Sequence, residues 1–197
     1  VYLQNAAGQF TALSAAAAGL PENLAVRDAA LGDVDADGLG DLMVGAYAND
    51  EAASNAGKSY VILASSLTTG TLSLSGADYG FLGEASNDQS GLQLGGAGDV
   101  DGDGFDDLLF GAPANDESYG NGGQTYLYLA ASLSGGDVSL DSADYGFRAQ
   151  NASDYTGWSV TGVGDVNGDS LDDFVTASTS NDDGGSGAGK TYLLLSP

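Results

Sequence analysis

The 197-residue sequence has no cysteine, no histidine, three prolines and four basic residues. Without cysteine there are no disulfides and no thiol nucleophile, and without either residue an ordinary zinc site is excluded. The missing histidine also removes the usual acid–base catalyst near neutral pH. Four Lys and Arg stand against 28 Asp and Glu, a net charge of −24. Nucleic acid is recognised by a basic footprint, which this chain lacks, and an anionic membrane surface would repel it. No stretch approaches the roughly 20 apolar residues of a membrane helix, so no membrane insertion is expected. The alanine run Ala15 to Ala18 is short, lacks a basic flank and does not read as a signal peptide. What the chain does have is 32 glycines and 42% hydrophobic residues, with ten Tyr and six Phe. That is enough apolar material for a core, and the glycine suits tight turns between short strands.

The sequence repeats itself. Gly32-Asp33-Val34-Asp35 recurs as Gly98-Asp99-Val100-Asp101 and as Gly164-Asp165-Val166-Asn167, a step of 66 residues from 33 to 99 and from 99 to 165. Tyr60, Tyr126 and Tyr192 keep the same step, as do Asn49, Asn115 and Asn181. The segment Ala77-Asp78-Tyr79-Gly80-Phe81 matches Ala143-Asp144-Tyr145-Gly146-Phe147. The division that follows is an N-terminal strand segment at 1–20 and repeats at 21–84, 85–150 and 151–197, the last lacking its fourth strand. The step from Tyr2 to Tyr60 is 58 residues, so the N-terminal segment is out of register. Its stretch from Phe10 reads as a strand, with a short alanine-rich helix as the alternative.

Each repeat reads as four short strands. In the second they are Leu92 to Ala97, Asp107 to Ala112, Gln124 to Ala130 and the less regular Val138 to Phe147. Evenly spaced strands with one signature per unit predict an all-β fold of three β-propeller-type blades, each of four antiparallel strands. A solenoid of β-turns is the competing architecture, although its period is usually much shorter. Three blades are incomplete as a closed ring, since propellers typically close with about four to eight. The expected consequence is head-to-tail self-association, as an oligomer or filament, or completion by the remainder of a longer chain.

The sharpest chemistry lies in three nine-residue loops. Position 1 is Asp33, Asp99 or Asp165, position 3 is Asp35, Asp101 or Asn167, and position 5 is Asp37, Asp103 or Asp169. Position 9 is Asp41, Asp107 or Asp173, and the backbone carbonyls of Leu39, Phe105 and Leu171 are available at position 7. Ca²⁺ takes six to eight oxygens in a flexible cage, whereas Mg²⁺ keeps water and stricter geometry. An EF-hand is excluded, because its twelfth position needs a bidentate Glu and these loops offer Val44, Phe110 and Thr176. Three calcium ions are therefore expected, one per repeat. The third should bind most weakly, because Asn167 replaces a carboxylate and Ser170 stands where the other loops have glycine.

Other residues read more plainly. Asp50-Glu51, Asp116-Glu117 and Asp182-Asp183 read as solvated charges at loop tips, with a second ion or a partner as the alternative. Trp158 matches Leu92 in the repeat and reads as core packing, with a sugar-binding platform as the alternative. Tyr60, Tyr126 and Tyr192 read as strand packing, and Arg27, Lys58, Arg148 and Lys190 as scattered. Asn151-Ala152-Ser153 is a weak glycosylation sequon. No nucleophile–base pair is visible, so no enzyme is expected.

The Asp-x-Asp-x-Asp-Gly-x-x-Asp loops, Gly80-Phe81 and Gly111-Ala112-Pro113 resemble the FG-GAP repeats of integrin α-subunit β-propellers and their bacterial relatives. The resemblance covers nearly all of residues 20–197. It implies structural calcium loops and an extracellular or secreted module for adhesion or cell-surface or filament assembly, with a protein or glycan ligand bound elsewhere. Two alternatives stand beside it, a lectin-type propeller that binds carbohydrate and an accessory module of a secreted polysaccharide-active enzyme. Where the second repeat has Gly-Ala-Pro, the first has Gly45-Ala46-Tyr47 and the third Ala177-Ser178-Thr179.

Overall fold

The computed structural model describes residues 2–4, 10–12, 26–67, 70 and 72–196. It is all-β with short 3₁₀ turns. At the N-terminus β1 (Tyr2–Gln4) pairs antiparallel with β2 (Phe10–Ala12). The strand expected from Phe10 is present over those three residues, and Leu13 to Ala18 lie outside the described residues.

The 66-residue step is visible in the strands. The first repeat contributes β3 (Val26–Gly32), β4 (Asp41–Ala46), β5 (Lys58–Ile62) and β6 (Tyr79–Leu82) as an antiparallel meander. The second contributes β7 (Gln93–Gly98), β8 (Asp107–Ala112) and β9 (Gln124–Tyr128). Its remaining strands are β10 (Gly136–Ser139) and β11 (Tyr145–Arg148). The third has β12 (Thr156–Gly164), β13 (Asp173–Ser178) and β14 (Lys190–Leu194).

One strand departs from expectation. Val138 to Phe147, read as a single fourth strand, is two strands separated by a 3₁₀ turn at Leu140–Ser142. The Ser139 hydroxyl accepts the Asp141 N–H (3.2 Å), and the Ser142 hydroxyl donates to the Ser139 carbonyl (2.6 Å). Such local bonds compete with a ladder and break the strand. Only β11 completes the second sheet, in the order β11-β9-β8-β7. Strand β10 crosses to the preceding sheet and pairs parallel with β6.

The central strands β4 and β8 are buried along their whole length. Their continuous apolar sequences, Leu42-Met43-Val44 and Leu108-Leu109-Phe110, fit strands covered on both faces. In the third sheet, β14 alternates between half-buried and exposed residues. The first strands of successive sheets abut. A Cβ on Gly96 would lie 2.9 Å from the Leu31 carbonyl oxygen, and one on Gly162 would lie 2.6 Å from that of Ala97. Beside them, Gly45 faces the Gly91 carbonyl and Gly111 the Gly157 carbonyl, leaving no room for any side chain. The next equivalent position is Ala177.

Cover by a neighbouring sheet, rather than sequence pattern, sets burial at the third repeat. Leu92 is buried as expected, but its counterpart Trp158 is 39% exposed, edge-on to Tyr155 at 6.1 Å. The core assignment of Trp158 is thus corrected. Tyr60 and Tyr126 are buried, as strand packing requires.

Candidate metal centre

Each acidic loop leaves the first strand of its sheet and enters the second, so two strand ends fix its span. The position-1 aspartate curls it. Asp33 accepts the N–H groups of Asp37 (3.1 Å) and Gly38 (2.9 Å). Asp99 accepts those of Gly102, Asp103 and Gly104 at 2.7–3.0 Å. Asp165 does the same with Gly168, Asp169 and Ser170 at 2.6–3.1 Å. The curl needs positive φ at positions 4 and 6. Glycine fills both in the second loop, at 79° and 91°, but Ala36 (55°) and Ser170 (76°) carry it in the first and third. A non-glycine residue there stores strain of about 1–3 kcal/mol.

The curl brings carboxylates together. Oxygens of Asp33, Asp35 and Asp37 lie within 4.8 Å of one another, as do those of Asp99, Asp101 and Asp103. Ligands at about 2.3–2.6 Å from one Ca²⁺ are at most about 5 Å apart, so both triads fit a single ion. The third loop has Asp165 and Asp169 with Asn167 between them, and the Asn167 Nδ2 donates to Asp169 Oδ2 (2.8 Å). The position-7 residues Leu39, Phe105 and Leu171 each donate their N–H to the position-5 carboxylate, at 2.8, 2.9 and 3.0 Å.

The position-9 aspartates also hold the sheet together. Asp41, Asp107 and Asp173 are fully buried. One oxygen of each accepts a loop N–H, from Val34, Val100 and Val166 at 2.8–3.0 Å. The other accepts an N–H just beyond the third strand, from Ala64, Ala130 and Ser196 at 2.7–2.9 Å. Each therefore ties loop, second strand and third strand together. Burial pushes Asp107 up to about 6, against the pull of its two N–H donors, and the charges of Asp101 and Asp103 add to the rise. Asp41 is raised for the same reason. Asp101 is raised by desolvation and by its neighbours Asp103 and Asp99. Asp165 is lowered, chiefly by the Ser170 N–H.

Sequence reasoning passed over position 8. Asp106 Oδ2 accepts the Asp33 N–H (2.9 Å) and the Asp106 N–H returns to the Asp33 carbonyl (2.9 Å). Asp172 and Asp99 repeat the pair, at 3.2 and 2.9 Å. Each of the first two loops is thus clasped by the loop of the next repeat. The signal was present as the doublets Asp106-Asp107 and Asp172-Asp173, against Gly40-Asp41 in the first loop.

The tip charges are also better organised than expected. Lys58, almost wholly buried, donates to Glu51 (2.9 Å) and to Asp137 of β10 (2.8 Å). Arg148 pairs with Glu117 and Lys190 with Asp183, both at 2.7 Å. Asp50 and Asp182 accept the N–H groups of Asn55 and Gly187. Each acidic pair is thus solvent-exposed, as expected, and has at least one member tied into the fold.

The FG-GAP repeat family model matches residues 25–62 and 91–128. Those spans hold the first three strands and the acidic loop of the first and second repeats. No curated protein matches the chain at a significant level.

Proposed function

From its membership of the FG-GAP repeat family we infer that the chain is a calcium-stabilised module whose three sheets act as β-propeller blades. It serves adhesion or assembly at the cell surface or in secreted material, and it is not itself an enzyme. One observation carries the calcium part. Asp33 and Asp99 gather the carboxylate triads with their side chains and clasp the next repeat with their backbones. A cation that neutralises a triad would therefore firm the junction between repeats. Like charges this close repel without a cation, by several kcal/mol at the effective dielectric of a protein surface. The adhesion and extracellular parts rest on the family. Head-to-tail association belongs to the same reading, and a stable 19.5-kDa monomer in calcium would count against it.

Thermal melts of metal-stripped protein, with and without calcium, test the proposal. An ion that binds only the folded state stabilises it by about 2.7 kcal/mol at a hundred times Kd. Extracellular modules often have Kd values of about 10⁻⁴–10⁻³ M. Millimolar calcium should raise Tm, and the third loop should be the first to empty on dilution of the ion. Identical melts in calcium and in chelator would refute the reading.

A further inference from the structure

Strands β6 and β11 share the sequence Tyr-Gly-Phe at equivalent repeat positions. Their surroundings differ in one respect. The outer edge of β6 is covered by β10, in the parallel register Gly136–Tyr79 to Ser139–Leu82. With that strand come Leu133, Val138 and Leu140, which pack on the cluster containing Val61, Phe81, Leu108 and Tyr128. Phe81 is 0% exposed as a result.

No strand pairs with the outer edge of β11 among the described residues. There Phe147 is only half-buried and Tyr145 is 51% exposed. An apolar cavity of about 190 Å³ lies against this edge, lined by Leu127, Tyr145, Phe147, Phe174 and Leu194 among others. Four of these, Leu127, Phe147, Phe174 and Leu194, are the repeat counterparts of Val61, Phe81, Leu108 and Tyr128. The cavity is therefore the site that Leu133, Val138 and Leu140 fill one repeat earlier. The molecule itself shows what fits.

We propose that the free edge of β11 and its apolar cavity form a docking groove for one extended polypeptide strand. The strand runs parallel to β11 and carries the pattern of Leu133 to Leu140. Main-chain bonds to an open sheet edge supply affinity, and alternate side chains supply selectivity. The residue opposite Phe147 is apolar, in the place of Val138. The residue opposite Gly146 is Asp or Asn. Opposite Gly80 that place is held by Asp137, which accepts from Lys58. Its equivalent beside Gly146 is bordered by the donors Gln124 and Arg148, which are bonded to each other (3.2 Å), and by the carboxylates of Glu84 and Asp141, which favour the neutral Asn over Asp. The cavity also borders Val100 and Asp101 of the second loop, so peptide binding is compared with and without calcium, and binding in both conditions separates this test from the calcium reading.

The probe is a synthetic peptide of residues 131–143, titrated into the isotope-labelled full chain with and without calcium and followed by NMR. Amide shifts should move at Tyr145–Arg148 and around Phe174 and Leu194. A peptide carrying Val138→Asp should bind at least about tenfold more weakly, since an apolar contact worth about 1.5 kcal/mol is lost. Three results would each overturn the proposal: no shift at β11 up to millimolar peptide, equal binding of the V138D peptide, or shifts confined to Tyr79–Leu82. Dimerisation of the chain that buries Phe147 without peptide would also overturn it, by making a second copy the occupant.

Discussion

Replacing Gly111 by alanine asks whether the junction between the second and third sheets is as tight as the backbone contact implies. A Cβ at Gly111 would collide with the Gly157 carbonyl oxygen, and would stand 3.1 Å from its carbon and 3.3 Å from Gln93 Cβ. The colliding atoms are backbone, so no side chain can swing away. The sheets must separate, and the nearby bridges from Thr156 N–H to the Gly122 carbonyl (2.8 Å) and from Tyr155 N–H to the Asn121 carbonyl (3.4 Å) lie in the path of that movement. Overpacking costs about 1–3 kcal/mol, and one or two weakened hydrogen bonds add about 0.5–1.5 kcal/mol each. A total near 3 kcal/mol corresponds to a fall of about 6–12 °C in Tm for a chain of this size.

Ala177→Gly is the matched control. It sits at the same repeat position with no following sheet among the described residues, so it should cost no more than the intrinsic preference for alanine, about 0.5–1 kcal/mol. Calorimetry or urea unfolding in millimolar calcium reads both. A Gly111→Ala protein within 1 kcal/mol of the parent, or equal losses for the two variants, would refute the junction argument.

Two further outcomes follow from charges within the fold. Lys58→Gln places in the first repeat the residue that the second has at Gln124. It removes the bonds to Glu51 and Asp137 and should cost about 1–2 kcal/mol, because the carboxylates left behind are half-exposed. An unchanged urea midpoint would contradict this. In chelator, Asp107, held at about 6 against about 3.9 when unfolded, binds its proton more tightly in the folded state. Stability without cation should therefore rise as pH falls from about 7 to about 5, and a Tm that is flat or falling over that range would contradict the assignment.

Much of this architecture was legible because the signals were local and repeated three times. The runs Leu42-Met43-Val44 and Leu108-Leu109-Phe110 mark strands without reference to neighbours, and the loops announce themselves by alternating aspartates. What was hidden depends on partners distant in the chain. The crossing of β10 rests on Asp137 meeting Lys58 and Val138 meeting Phe81, contacts invisible to a period-two reading. Trp158 and Leu92 share a repeat position but not a neighbour, so one is exposed and the other buried. Position 9 looked like a fourth ligand because it was acidic and in step. Its burial and its two backbone donors add the role of a clamp.

That division of labour within one loop has a consequence for what calcium can do. The clamp holds each sheet's second and third strands through Asp41, Asp107 and Asp173 by bonds to backbone N–H groups alone. The clasp between sheets runs instead through Asp33 and Asp99, whose own carboxylates sit in the triads. Repulsion within a triad therefore acts on the junction, and the charges of Asp101 and Asp103 reach the Asp107 clamp as well, although the ladder bonds of the sheet do not depend on either. Removing the cation should loosen the three sheets from one another while each keeps its ladder. Amide exchange should then speed up at Asp106 and Asp172 well before it does at Leu108 to Phe110.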